Sequence, residues 1–227
     1  MNAAVLHTFD EPPHFEQFPE PVAEDNEVIV HVRAAALKPI EKQMANGSHY
    51  AAYRKLPVVC GVDGVGCMDD GTRVFFGGAR LPYGSMAQRT VVSRSRCFPI
   101  PDNIGDDIAA AVVNPGLSAW GALAWRAQLT PRETVLILGA IGVTGKLAIQ
   151  TAKLLGAGRV IAAGRNEQVL NTLHDLGADT TIRLDKPGQD LTEAFAREAR
   201  DTGFDVIIDY LWGLPLKLSL LPLHEAI

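Results

Sequence analysis

Residues 135–150 read VLILGAIGVTGKLAIQ, and this junction constrains the fold more than any other part of the sequence. Its four leading apolar residues are typical of a strand that is buried on both faces. Glycine then occurs at every third position, at Gly139, Gly142 and Gly145, before an apolar pattern with helical spacing. A strand that runs through a glycine-rich turn into a helix predicts the start of a parallel α/β sheet.

The three glycines also predict a binding site for phosphate groups. Glycine permits a tight turn, lets backbone N–H groups approach a diphosphate, and lets the helix pack closely on the strand. The helix N-terminus adds unpaired N–H groups and a partial positive charge. The spacing G-x-x-G-x-x-G differs from the G-x-G-x-x-G fingerprint, so glycines that only permit close packing remain the alternative. We interpret the turn as a dinucleotide site formed by Gly139, Ala140, Ile141, Gly142, Val143, Thr144 and Gly145.

The end of the next apolar segment, RVIAA at 159–163, favours one dinucleotide over the other. NAD sites usually place Asp or Glu there to bind the ribose hydroxyls. Here the residues are Gly164, Arg165 and Asn166. A guanidinium can bind a phosphate through two parallel hydrogen bonds, so these residues predict a site for the 2′-phosphate of NADPH. The alternative is that Arg165 is a solvated loop arginine.

The chain divides into two halves with different patterns. In the first half, short strand patterns such as VIVHVRAAA (28–36), DDGTRVFF and YGSMAQRTVV are separated by turns and many prolines, which predicts a partly closed barrel-type structure. After residue 131, the apolar segments VLIL, RVIAA, TTIRL and FDVIIDY alternate with helical patterns. This alternation predicts right-handed crossovers and a parallel sheet. The boundary is predicted within a helix, AWGALAWRAQL, that joins the halves.

Composition excludes several classes of function. The 227 residues are 47% apolar and 21% charged, which is typical of a folded globular protein. A net charge of −5 and the lack of a basic cluster argue against nucleic-acid binding. No secretory signal and no uninterrupted apolar segment of membrane-spanning length is present, so no membrane association is expected. Three cysteines indicate free thiols and a cytoplasmic location.

These segments together resemble a known group of enzymes. The matching stretches include AAALKPIEKQMANGSHY, LPVVCGVDGVG, NPGLSAWGAL and the junction described above, and they cover about residues 3–213. The chain resembles the medium-chain dehydrogenase/reductase superfamily, and within it the zinc-independent quinone oxidoreductases. The resemblance implies an α/β protein with a GroES-like β-barrel-type catalytic domain at 1–118 and a Rossmann NADP-binding domain at 119–227. It also implies hydride transfer from NADPH to a quinone or an activated alkene such as an enal or enone.

The resemblance further implies that no metal takes part. The Gly-His-Glu segment of the zinc alcohol dehydrogenases aligns with Gly61-Val62-Asp63, so a valine stands where they have a ligand histidine. Their first ligand cysteine aligns with Lys38, and the cysteines present are not spaced as a four-cysteine zinc lobe. Asp63 is interpreted as a structural residue of the surrounding turn.

The candidate catalytic residues come from the loop that the resemblance identifies as the active-site loop. Lys38 replaces the asparagine of many relatives and is predicted to polarise the substrate oxygen, while Tyr50 or Tyr53 donates or relays a proton. The alternatives are a solvated lysine and two packing tyrosines. The resemblance also places Asn114, Ser118 and Tyr210 at the cofactor.

The Rossmann domain is expected to be incomplete. A full domain has six strands in the order 3-2-1-4-5-6, and this sequence supplies four of them. We therefore expect a C-terminally truncated domain with an apolar edge strand, and we expect that the homodimer interface of the family is missing. A second hypothesis follows, in which the chain is a non-catalytic NADPH-binding or interaction protein, or an inactive product of such an enzyme.

Overall fold

A computed structural model describes residues 1–200 and 202–221. The chain forms two compact units, Met1–Asn114 and Pro115–Ile227.

The first unit is built mainly from short antiparallel strands. Its strands and helices are, in chain order, β1 (Asn2–Leu6), β2 (His14–Gln17), β3 (Glu27–Ala34), α1 (Pro39–Ala45), β4 (Val58–Val59), β5 (Asp63–Met68), β6 (Arg73–Gly77), β7 (Arg89–Ser93), β8 (Cys97–Pro99) and the beginning of α2 (Asp106–Trp120). One sheet has the order β2-β1-β4 and a second has the order β7-β3-β5-β6-β8. All of these pairings are antiparallel.

The alternating pattern of the first half predicts β3 correctly. Val28 and Val30 are buried in one hydrophobic cluster with Val74, Phe76 and Val92 from the neighbouring strands. Because side chains of a strand point alternately to opposite faces, Ile29, His31 and Arg33 lie on the opposite and more accessible side. The predicted strands in DDGTRVFF and YGSMAQRTVV are confirmed as β6 and β7.

The second unit contains a parallel sheet with helices on both faces. Following the remainder of α2, its strands and helices are β9 (Thr134–Leu138), α3 (Val143–Leu154), β10 (Arg159–Gly164), α4 (Glu167–Thr172), β11 (Thr180–Arg183), α5 (Gly188–Ala199), β12 (Val206–Asp209) and α6 (Leu214–Leu220). The strand order is β11-β10-β9-β12, and each pairing is parallel. This confirms the predicted order 3-2-1-4 and places β12 at an edge of the described sheet.

The central strand β9 is apolar from Val135 to Leu138 because both of its faces are covered there. Val135 and Ile137 belong to a cluster that includes Ala148 and Ile149 of α3. Leu136 and Leu138 belong to a second cluster that is formed with α5 residues such as Phe195. A strand buried on both faces cannot alternate polar and apolar residues, which is why the four-residue apolar segment identifies it.

The helix between the two halves differs from its prediction. It was expected at AWGALAWRAQL, but α2 begins earlier, at Asp106, and is followed by a π-helical segment, Gly121–Arg126. Two aspartates in the first turn favour an N-terminus there, and the helix continues through Pro115 despite the hydrogen bond that this proline removes. The boundary between the two units lies inside α2. The predicted domain limits at 118 and 119 remain a prediction.

The same helical region has the length and composition of a membrane span. The region Asp106–Arg126 is 21 residues long, and an 18-residue window within it has a mean hydropathy of 1.3. This is the single region of residues 1–200 and 202–221 that meets both criteria, and core helices of soluble proteins meet them as well.

The segment NEQVLNTLHDLG has Val169, Leu173 and Leu176 at helical spacing, which predicts a helix that stops at Gly177, and the observed helix is shorter. The α-helical part ends at Thr172, and a 3₁₀ turn, His174–Leu176, continues the chain. Gly177 ends this segment with a φ of 105°, a conformation that glycine adopts without steric cost. The stop at Gly177 was therefore predicted correctly.

Candidate functional site

The glycine-rich segment forms a tight turn between β9 and α3. Gly139 has a φ of 86°, which turns the chain away from the strand. The N–H groups of Gly139 and Ala140 both donate to the carbonyl of Ala163, each at 3.0 Å. Gly142 then occupies the N-cap position of α3. The predicted succession of strand, turn and helix is confirmed.

Two of the glycines have different steric roles. A Cβ on Gly145 would lie 2.4 Å from the Gly139 oxygen and 2.5 Å from the Ala140 Cα, so the helix packs directly against the backbone of the turn. A Cβ on Gly142 would lie no closer than 3.7 Å to the Gly139 oxygen. Gly145 is therefore required for packing, whereas position 142 could hold a Cβ at an ordinary van der Waals distance.

The first turn of α3 presents unpaired backbone donors. The first helical hydrogen bond of α3 runs from the N–H of Lys146 to the oxygen of Gly142, at 2.9 Å. The N–H groups of Val143, Thr144 and Gly145 have no acceptor among the described residues. Donors of this kind, combined with the helix dipole, bind phosphate groups. The structure of the turn therefore fits the diphosphate of a dinucleotide.

The end of β10 combines a covered glycine with an exposed arginine. A Cβ on Gly164 would lie 2.6 Å from Cγ2 of Ile141, so the side chain of Ile141 covers this position. Arg165 is exposed and forms no hydrogen bond or ion pair within the described part of the chain. The side chain of Asn166 accepts the N–H of Val169 at 3.0 Å and caps α4. Arg165 is therefore available to a ligand, while the Asn166 oxygen is engaged in the cap.

Two further predicted cofactor residues, Ser118 and Tyr210, lie together in the second unit. Burial raises the pKa of Tyr210, and the hydroxyl of Ser118 opposes part of this increase. The contact falls short of a full hydrogen bond, because the buried Tyr210 hydroxyl has no partner of proper geometry in residues 1–200 and 202–221. Tyr210 also lies against the turn, since a Cβ added to Gly139 would lie 3.2 Å from the Cβ of Tyr210.

Lys38 lies in a buried network of charged groups in the first unit. Its Nζ donates to Asp63 Oδ1 at 2.7 Å and to the Ala36 oxygen at 3.3 Å. The amide of Asn114 donates to the other oxygen of Asp63, at 2.9 Å. The side chains of Lys38 and Asp63 are only 12% and 3% exposed. Lys38 is thus not a solvated loop residue, and the carboxylate of Asp63, which we assigned to a turn, instead joins Lys38 and Asn114.

Glu41 adds a second carboxylate to this network. Its Oε2 accepts the backbone N–H of Lys38 at 2.7 Å, and its Oε1 lies 3.0 Å from Nζ of Lys38. Oε1 receives no hydrogen bond of proper geometry from the described residues. Because an ammonium group has three donors, one N–H of Lys38 is left without a well-oriented acceptor.

Tyr50 and Tyr53 occupy contrasting environments. Tyr50 is 97% exposed, whereas Tyr53 is 9% exposed and packs in a hydrophobic cluster with Leu6, Val58 and Cys60. Burial, reinforced by the nearby Cys60 and Glu41, raises the pKa of Tyr53 to about 12, although a backbone hydrogen bond with Gly61 opposes the shift. This environment favours a packing role for Tyr53, and the catalytic roles of both tyrosines remain predictions.

The pKa of Tyr53 leads to a testable pH dependence. Because its folded pKa is raised above the ordinary value of 10, its contribution to stability is complete below about pH 10 and is lost as the pH rises through about 12. A spectrophotometric titration of tyrosinate is expected to show a late ionisation step near pH 12 whose amplitude falls in Tyr53→Phe. The control Tyr50→Phe should keep that step, and an unchanged amplitude in Tyr53→Phe would contradict the assignment.

Sequence reasoning missed Glu41 and misassigned Asp63. A signal for Glu41 was present, because Lys38-Pro39 followed by an acid at the third helical position is a typical helix start. The contact between Asp63 and Lys38 could not be deduced, since the two residues are 25 positions apart in sequence. Within residues 1–200 and 202–221, no three His, Cys, Asp or Glu side chains are grouped so that they could hold a metal ion.

Known proteins share both the sequence and the fold of this chain. Residues 143–221 match the family described as "Zinc-binding dehydrogenase". The chain is 28% identical to the "Probable NADPH-dependent quinone reductase tdiC" of Emericella nidulans, over 94% of this chain and 68% of that protein. It is also 28% identical to the "NADPH-dependent alkenal/one oxidoreductase, chloroplastic" of Arabidopsis thaliana, over 82% of this chain and 51% of that protein.

One solved structure matches a larger share of this chain than the two sequence relatives do. The quinone oxidoreductase from Thermus thermophilus, whose structure was also determined in complex with NADPH, is 30% identical and superimposes with a TM-score of 0.84. The superposition covers 97% of this chain and 70% of that structure. The chain therefore spans between about half and 70% of the length of these proteins. It belongs to the medium-chain dehydrogenase/reductase superfamily, as a quinone oxidoreductase-like member.

Proposed function

We propose that this protein binds NADPH and transfers hydride, without a metal ion, to a quinone or to an activated alkene such as an enal or enone. The observation that carries the proposal is the turn from Gly139 to Gly145, where the first amides of α3 are unpaired. The names of the fungal, plant and bacterial relatives support the coenzyme and the substrate classes.

The diphosphate of the coenzyme would be held by the N–H groups of Val143, Thr144 and Gly145. These donors are fixed by the packing of α3 on the turn, so they need no rearrangement to receive an anion. Tyr210 lies next to the same turn, with the hydroxyl of Ser118 close to its own, and both residues would contact the coenzyme there. Bound NADPH would supply the hydride.

Arg165 would bind the 2′-phosphate of the coenzyme. It follows directly after β10, where a carboxylate is missing, and its guanidinium has no partner in the described part of the chain. A guanidinium can form two parallel hydrogen bonds with a phosphate, which favours NADPH over NADH.

Lys38 would donate a hydrogen bond to the substrate oxygen on which negative charge develops. Two of its N–H groups are used by Asp63 and the Ala36 carbonyl, which leaves one for a substrate. A donor that is fixed in advance and shielded from water stabilises such a charge efficiently. Lys38 itself would supply the positive charge that stabilises the substrate oxygen, and this is the reason for proposing a reaction without a metal ion.

Turnover and binding assays test the proposed activity together. We expect saturable NADPH binding, which is monitored by fluorescence. We also expect NADPH oxidation when a small quinone or an enal is added. Saturable binding without turnover of either substrate would favour the alternative, a non-catalytic NADPH-binding protein. Absence of saturable binding by a folded sample would contradict both.

The coenzyme preference depends on Arg165. In Arg165→Ala we expect NADPH affinity to fall on the order of tenfold to a hundredfold, the range of one charge-assisted hydrogen bond or more, while NADH affinity stays the same. Parallel fluorescence titrations with both coenzymes measure this ratio. Arg197→Ala, which removes an exposed charge on α5, is the control. An unchanged ratio of NADPH to NADH affinity in Arg165→Ala would refute the assignment.

A further inference from the structure

The network around Lys38 connects it to a residue that the resemblance placed at the cofactor. Asn114 donates to Asp63 at 2.9 Å, and Asp63 accepts from Lys38 at 2.7 Å. All three residues lie in the first unit. We propose that Asp63 is a positioning residue that holds the Lys38 ammonium, and that Asn114 acts by orienting Asp63 instead of by binding NADPH. This inference rests on the proposed role of Lys38 as the donor to the substrate oxygen.

Asp63 is fixed in both its backbone and its side chain. It is the first residue of β5 and pairs with Gly77 of β6, so its Cα is held by the sheet. Each of its carboxylate oxygens accepts one hydrogen bond, and the side chain is 3% exposed. A carboxylate that is bound at both oxygens keeps a single orientation. Lys38, by contrast, has a long flexible side chain and precedes a short helix, so its ammonium needs an external anchor.

Glu41 contributes in a different way. Its Oε2 accepts a hydrogen bond from the backbone N–H of Lys38 at 2.7 Å, and this bond fixes the start of α1. Its other oxygen lies near the ammonium at 3.0 Å but lacks hydrogen-bond geometry. Glu41 therefore places the backbone of Lys38 and adds negative charge, and the direction of the ammonium is set by Asp63.

The orientation of the Asn114 amide follows from the charge of Asp63. A carboxylate oxygen is an acceptor only, so the NH₂ side of the amide must face it. One donor of Asn114 is thereby used within the first unit. Removal of this donor would leave Asp63 Oδ2 buried without a partner, and the carboxylate would lose its fixed orientation.

Trace acylation of lysines with acetic anhydride tests the positioning directly, because only the unprotonated amine reacts. The rate at Lys38 is measured by mass spectrometry of peptides, relative to the exposed Lys42 on the same helix. In Asp63→Asn we expect this ratio to rise on the order of tenfold or more, since the amine loses its charge-assisted hydrogen bond. Asn114→Ala should raise the ratio by a smaller factor while NADPH affinity, followed by fluorescence, stays at the parental value.

Two controls separate positioning from general loosening of the fold. Asp69→Asn removes a carboxylate that is 73% exposed in the same unit and should leave the Lys38 ratio unchanged. Lys153, which is ion-paired with Asp179 in the second unit, should keep its parental labelling in every variant. If Lys153 and Lys38 become reactive together, Asp63 is a structural residue and the proposal is wrong.

Kinetics distinguish failure of this inference from failure of the proposed function. If the parental protein oxidises NADPH with a quinone, Asp63→Asn should lower kcat with little change in KM. If the parental protein shows no turnover, the proposed activity fails, whereas the labelling ratios still decide the positioning of Lys38. An unchanged Lys38 ratio in Asp63→Asn overturns the proposal. Weaker NADPH binding by Asn114→Ala, with Lys38 labelling unchanged, overturns it as well.

Discussion

Replacement of Lys38 by methionine is expected to lower the free energy of unfolding by about 3–5 kcal/mol, because it leaves two buried carboxylates without their cation. The carboxylates are those of Asp63 and Glu41, whose side chains are 3% and 4% exposed. Methionine is similar in length to the apolar part of the lysine side chain, so the loss of stability reports on the missing charge more than on packing. Denaturant unfolding followed by circular dichroism measures the change.

The matched control is Lys42→Met on the same helix. Lys42 is exposed, so its replacement should change the free energy of unfolding by no more than about 0.5 kcal/mol. The double variant Lys38→Met/Asp63→Asn should recover part of the loss, since it removes one of the uncompensated charges. Equal stability of Lys38→Met and Lys42→Met would show that the network carries no net electrostatic stabilisation.

The second large effect is expected at Gly145. In Gly145→Ala the new methyl group would lie 2.4 Å from the Gly139 oxygen and 2.5 Å from the Ala140 Cα. These are backbone atoms of the turn and cannot move aside independently, so α3 must shift away from β9. We expect a loss of about 1–3 kcal/mol in the free energy of unfolding, together with weaker NADPH binding. Thermal unfolding and a fluorescence titration measure the two effects.

Gly142→Ala provides the comparison within the same turn. Its Cβ would be 3.7 Å from the nearest atom, and its φ of −77° suits any residue. The free energy of unfolding should therefore stay within about 0.5 kcal/mol of the parental value. If Gly145→Ala proves as stable as Gly142→Ala, close packing of the helix on the turn is not the reason for a glycine at position 145.

The parallel sheet could be predicted from sequence because its information is local. A four-residue apolar segment such as Val135–Leu138 is buried on both faces, and a glycine-rich turn marks the change from strand to helix. The helix stop at Gly177 could be predicted for a local reason as well, because glycine adopts without steric cost the left-handed conformation that is found there. The early start of α2 was missed, because Pro115 and Gly116 discourage a helical interpretation and tertiary packing overrides that preference.

The cofactor turn was easier to predict than the environment of Lys38. The turn is continuous in sequence, so its geometry follows from the spacing of its glycines. The network of Lys38, Asp63 and Asn114 joins residues that are 25 and 51 positions apart, and only the fold brings them together. The burial of Tyr53 is likewise a tertiary property, since it depends on β1 and β4.

The contact between Ile141 and Gly164 links the shape of the turn to any redesign of coenzyme choice. An aspartate at position 164, the simplest way to create a ribose-binding carboxylate, would bring its Cβ to 2.6 Å from the Ile141 side chain. Gly164→Asp alone would therefore distort the glycine-rich turn that contains Ile141, and this turn is part of the coenzyme site that the substitution was intended to change. Conversion would require a paired exchange, Gly164→Asp with Ile141→Ala, so that the acid gains a recess when the branched side chain is removed.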